Sequence, residues 1–211
     1  MKLKLLILAI VFAGCSQTAP QPAPEPDPLD GMTLREKAGL LFFVRPEALQ
    51  DNVWPATEIT DSSRAFYNNY PVGGIVLFAH NILDPGQLTK FTGEIHSLPG
   101  RPLVCIDEEG GRVARIGLNE NFNVPTFRSM GAVGKTGQSA KAYDAGLAIG
   151  SYLKEYGIDV DFAPVADINS NPENIVIGTR AFSDDPWVAA PMVVSCMQGL
   201  LDAGIIPCLK H

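Results

Sequence analysis

The stretch PLVCIDEEGGRVAR, residues 102–115, joins a short apolar run to three consecutive carboxyl residues and two glycines. An apolar run of this length predicts a strand that is buried on both faces of a parallel sheet. Such a strand delivers the carboxylates of residues 107–109 to its end, and Gly110 and Gly111 let the backbone turn close to a ligand. From these residues alone, the segment fits a sugar site, a metal site, a catalytic carboxylate or a solvated turn.

Outward from this strand, strand and helix patterns alternate along the chain, which predicts repeated βα units. Thr33 and Glu36 form a capping-box pattern, and Asp84 and Asp185 each precede a proline, as at the start of a helix. A helix is predicted to pass into the first strand within residues 40–44. The other predicted strands cover residues 74–78, 102–107, 159–168 and 205–209. The predicted helices begin at Thr33, at Asp84 (through Ile95), after the third strand (one long helix ending near Gly157) and at Asp185 (ending at Gly204).

Five parallel strands fit either a (β/α)8 barrel or a doubly wound sheet. Polar residues follow the strand ends at 107–109, 167–169 and 210–211, where both folds place their sites. No Gly-x-Gly-x-x-Gly opens a helix after a strand, and the carboxylates before Gly110 would repel a pyrophosphate. We therefore expect an α/β fold, a (β/α)8 TIM-type barrel of which about the first five βα units are present, with the remaining units beyond His211.

The N-terminal segment has the pattern of an export signal. Lys2 and Lys4 precede an apolar run, and residues 12–15 resemble a bacterial lipobox, which implies acylation of Cys15. We predict a signal peptide at residues 1–14, an acylated, proline-rich tether at 15–30 and the N-terminal part of the barrel domain at 31–211. The expected location is the periplasmic or extracellular face of a membrane, the outer membrane if the host has one. The alternative is an ordinary signal peptide with an incidental cysteine.

Composition narrows the classes of function further. The formal net charge of -7 argues against a nucleic-acid partner, and 46% apolar residues predict a packed core. No group of His, Cys and carboxylates has metal-ligand spacing, so we expect neither a metal nor an organic cofactor. Cys105, Cys196 and Cys208 are predicted to be buried thiols. His80 and His96 stand outside any motif and are predicted to be surface or loop residues.

Residues 107–115 resemble the Asp-x-Glu-Gly-Gly-Arg-Val-x-Arg motif of glycoside hydrolase family 3, in particular its β-N-acetylhexosaminidase branch. The segment Ile177–Phe182 supports that branch, because β-glucosidases of the family carry a Trp-Gly-Arg-containing segment there. Further blocks in family order extend the resemblance over almost the whole chain after the tether: residues 73–78, 161–167, 177–186 and 210–211.

The resemblance implies a sugar subsite at the C-terminal mouth of the barrel. In it, Asp107 would accept hydrogen bonds from sugar hydroxyls, Arg115, Arg180 and Lys210 would donate, and His211 would complete the ring. Structural ion pairs are the alternative role for the two arginines. Asp167 is predicted to cap a loop, and Glu109 to organise the Gly-Gly turn.

The family implies an exo-acting retaining hydrolase that removes β-linked N-acetylglucosamine-type sugars from a glycan or peptidoglycan fragment. The resemblance places the nucleophilic Asp and the acid/base His beyond His211, so residues 29–211 alone are expected to be inactive. The alternatives left open are a family 3 β-glucosidase, another exo-glycosidase, or a non-catalytic, membrane-tethered glycan-binding protein.

Overall fold

The computed structural model describes residue 27 and residues 29–50 and 54–211 of the chain. The chain divides into two units, Met1–Met32 and Thr33–His211, and the elements below belong to the second. The predicted signal peptide, Cys15 and nearly all of the tether lie outside the described residues, so they stay predictions. No helix in the described part of the chain is long and apolar enough to cross a membrane.

Five parallel strands form a single sheet in which the strand order follows the chain. A doubly wound sheet reverses its order part-way, whereas neighbouring strands of a barrel are successive in sequence. The prediction of the first βα units of a (β/α)8 barrel is therefore confirmed. The strands are β1 Phe43–Val44, β2 Gly74–Leu77, β3 Leu103–Ile106, β4 Val160–Asp161 and β5 Ile206–Pro207.

The helices begin where the sequence places caps. Thr33 forms a complete capping box with Glu36, and the side chains of Asp84 and Asp185 accept hydrogen bonds from backbone N–H groups of the first turn. Gly204, at φ +83°, ends the last helix. The α-helices are α1 Leu34–Gly39, α2 Asp61–Asn69, α3 Pro85–His96, α4 Met130–Gly134, α5 Ser139–Glu155 and α6 Pro186–Asp202; 3-10 turns cover Pro46–Leu49, Ala79–Asn81 and Gly178–Arg180.

Two predicted strands are shorter in the structure, and helix α2 was not predicted. The fourth strand was predicted over residues 159–168 but ends at Asp161, because Pro164 has no N–H for a regular ladder. The fifth is likewise reduced to two residues, the second of which is Pro207. The long helix predicted after β3, ending near Gly157, corresponds to α5, which ends at Glu155. The long loop and the short helix α4 before it were not predicted, and Gly137, at φ +65°, separates α4 from α5.

The core lies between the sheet and the helices. Ile75, Leu77, Val104 and Ile106 of the central strands are fully buried beneath α3 and α5. Helices α5 and α6 approach closely at glycines, and a Cβ on Gly146 would lie 2.1 Å from the carbonyl oxygen of Cys196.

The three described cysteines are free thiols. Cys105 and Cys196 are buried as predicted, and burial raises the pKa of each thiol to about 12. The prediction for Cys208 is wrong, because it is exposed. It follows β5, which among the described strands has a neighbour on one side only.

Candidate active site

The three carboxyl residues after β3 point to opposite sides of the chain. Successive side chains of an extended segment alternate between two faces. Asp107 and Glu109 line an open cavity of about 380 Å³, while Glu108 is fully buried behind the following loop. The turn that follows uses both glycines, at φ +83° for Gly110 and +64° for Gly111. These glycines are crowded by Met130 and Ser129 of the protein itself, since added Cβ atoms would lie 2.6 and 2.8 Å from them.

Lys210 joins the two carboxylates that face the cavity. Its Nζ lies 2.6 Å from Oδ1 of Asp107 and 2.5 Å from Oε1 of Glu109. The ammonium reaches them because the backbone of Lys210 pairs with Val165 beyond the end of β4. The site therefore draws side chains from the ends of β3 and β5 into direct contact.

Arg180, in the 3-10 turn after β4, completes the other side of the cavity. Its Nε and one Nη each lie 2.7 Å from an oxygen of Glu109, a bidentate ion pair. The same Nη lies 3.0 Å from Nε2 of His211, and Nδ1 of that histidine lies 2.6 Å from Oδ2 of Asp167. Asp167 thus contacts the ring of site residues through His211.

Glu109 has a different role from the predicted one. Its side chain is 1% exposed and holds Arg180 and Lys210, whereas its carboxylate accepts no hydrogen bond from the described residues of the Gly-Gly turn. Burial acts to raise the pKa of Glu109, but the hydrogen bonds from Arg180 and Lys210 outweigh burial and lower it. Glu109 is therefore an ionised anchor for the two cations.

Arg115 makes the loosest contact of the ring. One Nη lies 3.4 Å from Oδ2 of Asp107, and the guanidinium lies over the ring of Phe78, 5.8 Å from its centroid. The structure thus brings together all of the sequence-predicted binding residues, with Glu109 added to them: Asp107, Arg115, Arg180, Lys210 and His211.

The residue that sequence reasoning missed is Glu108. Its carboxylate accepts hydrogen bonds from the backbone N–H groups of Arg115, Ile116 and Gly117 and from the hydroxyl of Tyr152. The backbone N–H of Glu108 itself donates to Oδ1 of Asp161 at 2.8 Å. The alternation of an extended chain, applied to residues 107–109, would have separated Glu108 from its two neighbours.

Asp161 forms the innermost part of the site. It is fully buried, and its Oδ2 has no hydrogen-bond partner among the described residues. Burial, together with the charge of Glu108, raises the pKa of Asp161 well above its ordinary value. The surroundings of Asp161 therefore disfavour its charged form.

The volume of a cavity does not by itself identify the candidate site. A larger cavity of about 620 Å³ is lined by Gly178, Thr179 and Ala181, next to Arg180, but its charged side chains Arg128, Lys135 and Asp184 are exposed and make no ion pairs within the described part of the chain. In the smaller cavity, by contrast, the charged groups converge.

The two histidines without motifs lie outside the ring and are partly buried rather than on the surface. His80 lies 3.1 Å from Glu47 and His96 lies 2.7 Å from Asp159. No group of three or more His, Cys, Asp or Glu in the described residues could hold a metal ion.

Comparison with known proteins places this geometry in a family. The description "Glycosyl hydrolase family 3 N terminal domain" matches residues 33–211. Curated relatives named "Beta-hexosaminidase" include proteins of Thiobacillus denitrificans, 39% identical over 160 residues, and Nitrosomonas eutropha, 35% identical over 160 residues. Each alignment covers 74% of this chain, and 44% and 45% of the relatives. The chain thus spans less than half the length of these relatives.

Solved structures agree with this assignment. A glycoside hydrolase family 3 β-N-acetylglucosaminidase from Paenibacillus sp. FPU-7 is similar with a TM-score of 0.76 at 32% identity, over 85% of this chain and 33% of that one. Native NagZ from Neisseria gonorrhoeae is similar with a TM-score of 0.67 at 28% identity, over 80% of this chain and 48% of that one. From the match over residues 33–211 and these likenesses, the chain belongs to glycoside hydrolase family 3.

Proposed function

We propose that the protein is an exo-acting, retaining β-N-acetylhexosaminidase that removes terminal β-linked N-acetylglucosamine-type sugars. The observation that carries the proposal is the ring of paired charges around the cavity. Two carboxylates, Asp107 and Glu109, pair directly with the cations Arg115, Arg180 and Lys210. A third, Asp167, joins them through His211, so carboxylates and permanent cations are equal in number. Such a ring suits a neutral ligand rich in donors and acceptors, as a sugar is.

The residues of the ring would bind and orient the terminal sugar. Asp107 would accept from sugar hydroxyls, while Arg115, Arg180 and Lys210 would donate to them and His211 would complete the contacts. A substrate that lacks one hydroxyl would leave a charged partner unpaired, which gives the site its selectivity. The proposal assigns no nucleophile and no acid/base to this chain.

The relatives named β-hexosaminidase and the β-N-acetylglucosaminidase neighbour favour an N-acetylated sugar over glucose. The test is a panel of chromogenic β-glycosides with the full-length protein. We expect the N-acetylglucosaminide to be hydrolysed with kcat/KM well above that of the glucoside, with retention of anomeric configuration. Preference for the glucoside would favour a family 3 β-glucosidase, and sugar binding without turnover would favour a glycan-binding protein.

We also propose that Cys15 is acylated and anchors the protein to a membrane facing the periplasm or the cell exterior. The support is the lipobox-like sequence of residues 12–15 and the prolines that follow it. We expect globomycin to block processing and Cys15→Ser to release the protein from membranes. Unchanged membrane fractionation of that variant would contradict the anchor.

A further inference from the structure

An aromatic ladder, defined as Phe78, His80 and Trp54, leads away from the sugar site. It begins at Phe78, whose ring lies under the guanidinium of Arg115. The rings of Phe78 and His80 are nearly parallel, 6° apart with centroids at 5.9 Å, and the rings of His80 and Trp54 stack at 3.6 Å. Two segments that are distant in sequence thus form one stack, and Arg115 of a third segment lies at its end.

The middle of the aromatic ladder is fixed by buried polar contacts. Nε2 of His80 lies 3.1 Å from Oε1 of Glu47, a carboxylate that is fully buried. The same oxygen accepts hydrogen bonds from Nδ2 of Asn81 at 2.6 Å and from the backbone N–H of Ala56 at 3.2 Å. The imidazole therefore has a defined position, and Trp54 is stacked on a rigid surface.

Exposure increases along the aromatic ladder. Phe78 is half-buried, the His80 side chain is 25% exposed, and Trp54 is 57% exposed. The guanidinium of Arg45 also lies over the indole, 5.8 Å from the ring centroid. The Arg45 side chain is exposed, and its guanidinium has no ion-pair or hydrogen-bond partner among the described residues. A weak contact of this kind at an exposed site is readily displaced by a ligand.

We propose that Trp54 and Arg45 form a subsite for the second saccharide unit, the sugar that departs when the terminal residue is cleaved. This inference rests on the proposed function. A cavity of about 380 Å³ is near the lower end of the roughly 300–1,000 Å³ usual for small-molecule sites, so the rest of a glycan extends outside it. The aromatic ladder supplies a path from Arg115 to solvent. The apolar face of a pyranose would stack on the indole, and Arg45 would donate to its hydroxyls.

The test compares two substrates in the full-length protein: a β-linked N-acetylglucosamine disaccharide, and the methyl β-N-acetylglucosaminide, whose leaving group has no ring. In Trp54→Ala we expect kcat/KM for the disaccharide to fall about fivefold to tenfold, the scale of a lost stacking contact. The methyl glycoside should change less than about twofold, and Trp54→Phe, which keeps an aromatic face, should restore most of the disaccharide activity.

Trp187 provides the matched control, because it is also an exposed tryptophan, 88% exposed at the start of α6. Trp187→Ala should leave kcat/KM unchanged for both substrates. Equal losses on both substrates in Trp54→Ala, or no loss on the disaccharide, would overturn the subsite. If Trp54→Ala fails to fold, Arg45→Ala gives the same comparison, since its side chain is exposed and its guanidinium makes no ion pair in the described part of the chain. A disaccharide-specific loss is again required. A wild-type protein inactive on both substrates would instead overturn the proposed function.

Discussion

Glu108 gives the sharpest prediction, because a single fully buried carboxylate accepts hydrogen bonds from four donors. Oε2 accepts from the N–H groups of Arg115 at 2.5 Å and Ile116 at 3.0 Å. Oε1 accepts from the N–H of Gly117 and from the Tyr152 hydroxyl, both at 2.8 Å. The loop that carries Arg115 to the sugar site is therefore held from behind by Glu108.

The two substitutions Glu108→Leu and Glu108→Gln separate the effects of shape and of acceptor loss. Leucine leaves all four donors unpaired, at roughly 1–3 kcal/mol each, so we expect a loss of about 4 kcal/mol or more in the free energy of unfolding. That is a large part of the roughly 5–15 kcal/mol by which a natural domain is typically stable against unfolding. Glutamine keeps an oxygen for Arg115 and Ile116 and can donate to the Tyr152 oxygen. The N–H of Gly117 and the hydroxyl hydrogen of Tyr152 then lack their acceptor, at roughly 1–3 kcal/mol each, so we expect about half the loss of the leucine variant.

Urea unfolding of the full-length variants measures these losses, and kcat/KM reports on the position of Arg115. Glu108→Gln should retain most activity, whereas Glu108→Leu should lose both stability and activity. Tyr152→Phe is the control, because it removes one donor and leaves the backbone contacts in place. If Glu108→Leu and Glu108→Gln unfold within about 1 kcal/mol of each other, the reasoning from unpaired donors is refuted.

Three further predictions follow from the same structure. Asp107→Ala should lower kcat/KM by roughly 2–4 kcal/mol of transition-state stabilisation while a covalent glycosyl-enzyme still forms, and mechanism-based labelling of Asp107 itself would contradict this. Gly146→Ala should lower the free energy of unfolding by roughly 1–3 kcal/mol, because its Cβ would clash with the backbone of Cys196. Gly93→Ala in α3 is the control: a Cβ there has nothing within 4 Å, so the variant should gain about 0.5–1 kcal/mol. Equal shifts in the Tm of the two variants would count against the close packing of α5 and α6. Burial raises the pKa of Asp161 above its value in the unfolded chain. The wild type should therefore lose stability relative to Asp161→Asn as the pH rises above about 4, measured as the difference between their urea midpoints. A difference that grows in favour of the wild type over this range would contradict the raised pKa.

Local sequence signals predicted the elements that depend on local physics. The caps at Thr33, Asp84 and Asp185 fix the starts of helices, since each side chain pairs with N–H groups only a few residues away. The apolar runs of residues 74–78 and 102–107 predicted β2 and β3 equally well. The length of β4 was not, because alternation continues past Asp161 in the sequence while Pro164 cannot donate to a ladder.

The site was predictable only in part, because many of its contacts join segments that are distant in the sequence. The family motifs named the side chains that meet around the cavity, but not which acid pairs with which cation. Glu109 was predicted to organise a turn that precedes α4, yet its partners Arg180 and Lys210 lie on other βα units. Likewise, no local pattern around Trp54 or His80 indicates that their rings stack, because Glu47 fixes the imidazole from a third segment.

On the proposed function, the pairing within the ring also predicts where a sugar would enter. Glu109 is 1% exposed and its two cations lie within 2.7 Å, so its oxygens have little capacity for another donor. Asp107 is 21% exposed and its contact with Arg115 is 3.4 Å long, while Nε of Arg115 is buried without a partner among the described residues. A hydroxyl can accept from Arg115 and donate to Asp107 at little cost, because the contact it replaces is weak. The sugar should therefore bind first between these two side chains, at the end of the site from which the aromatic ladder begins.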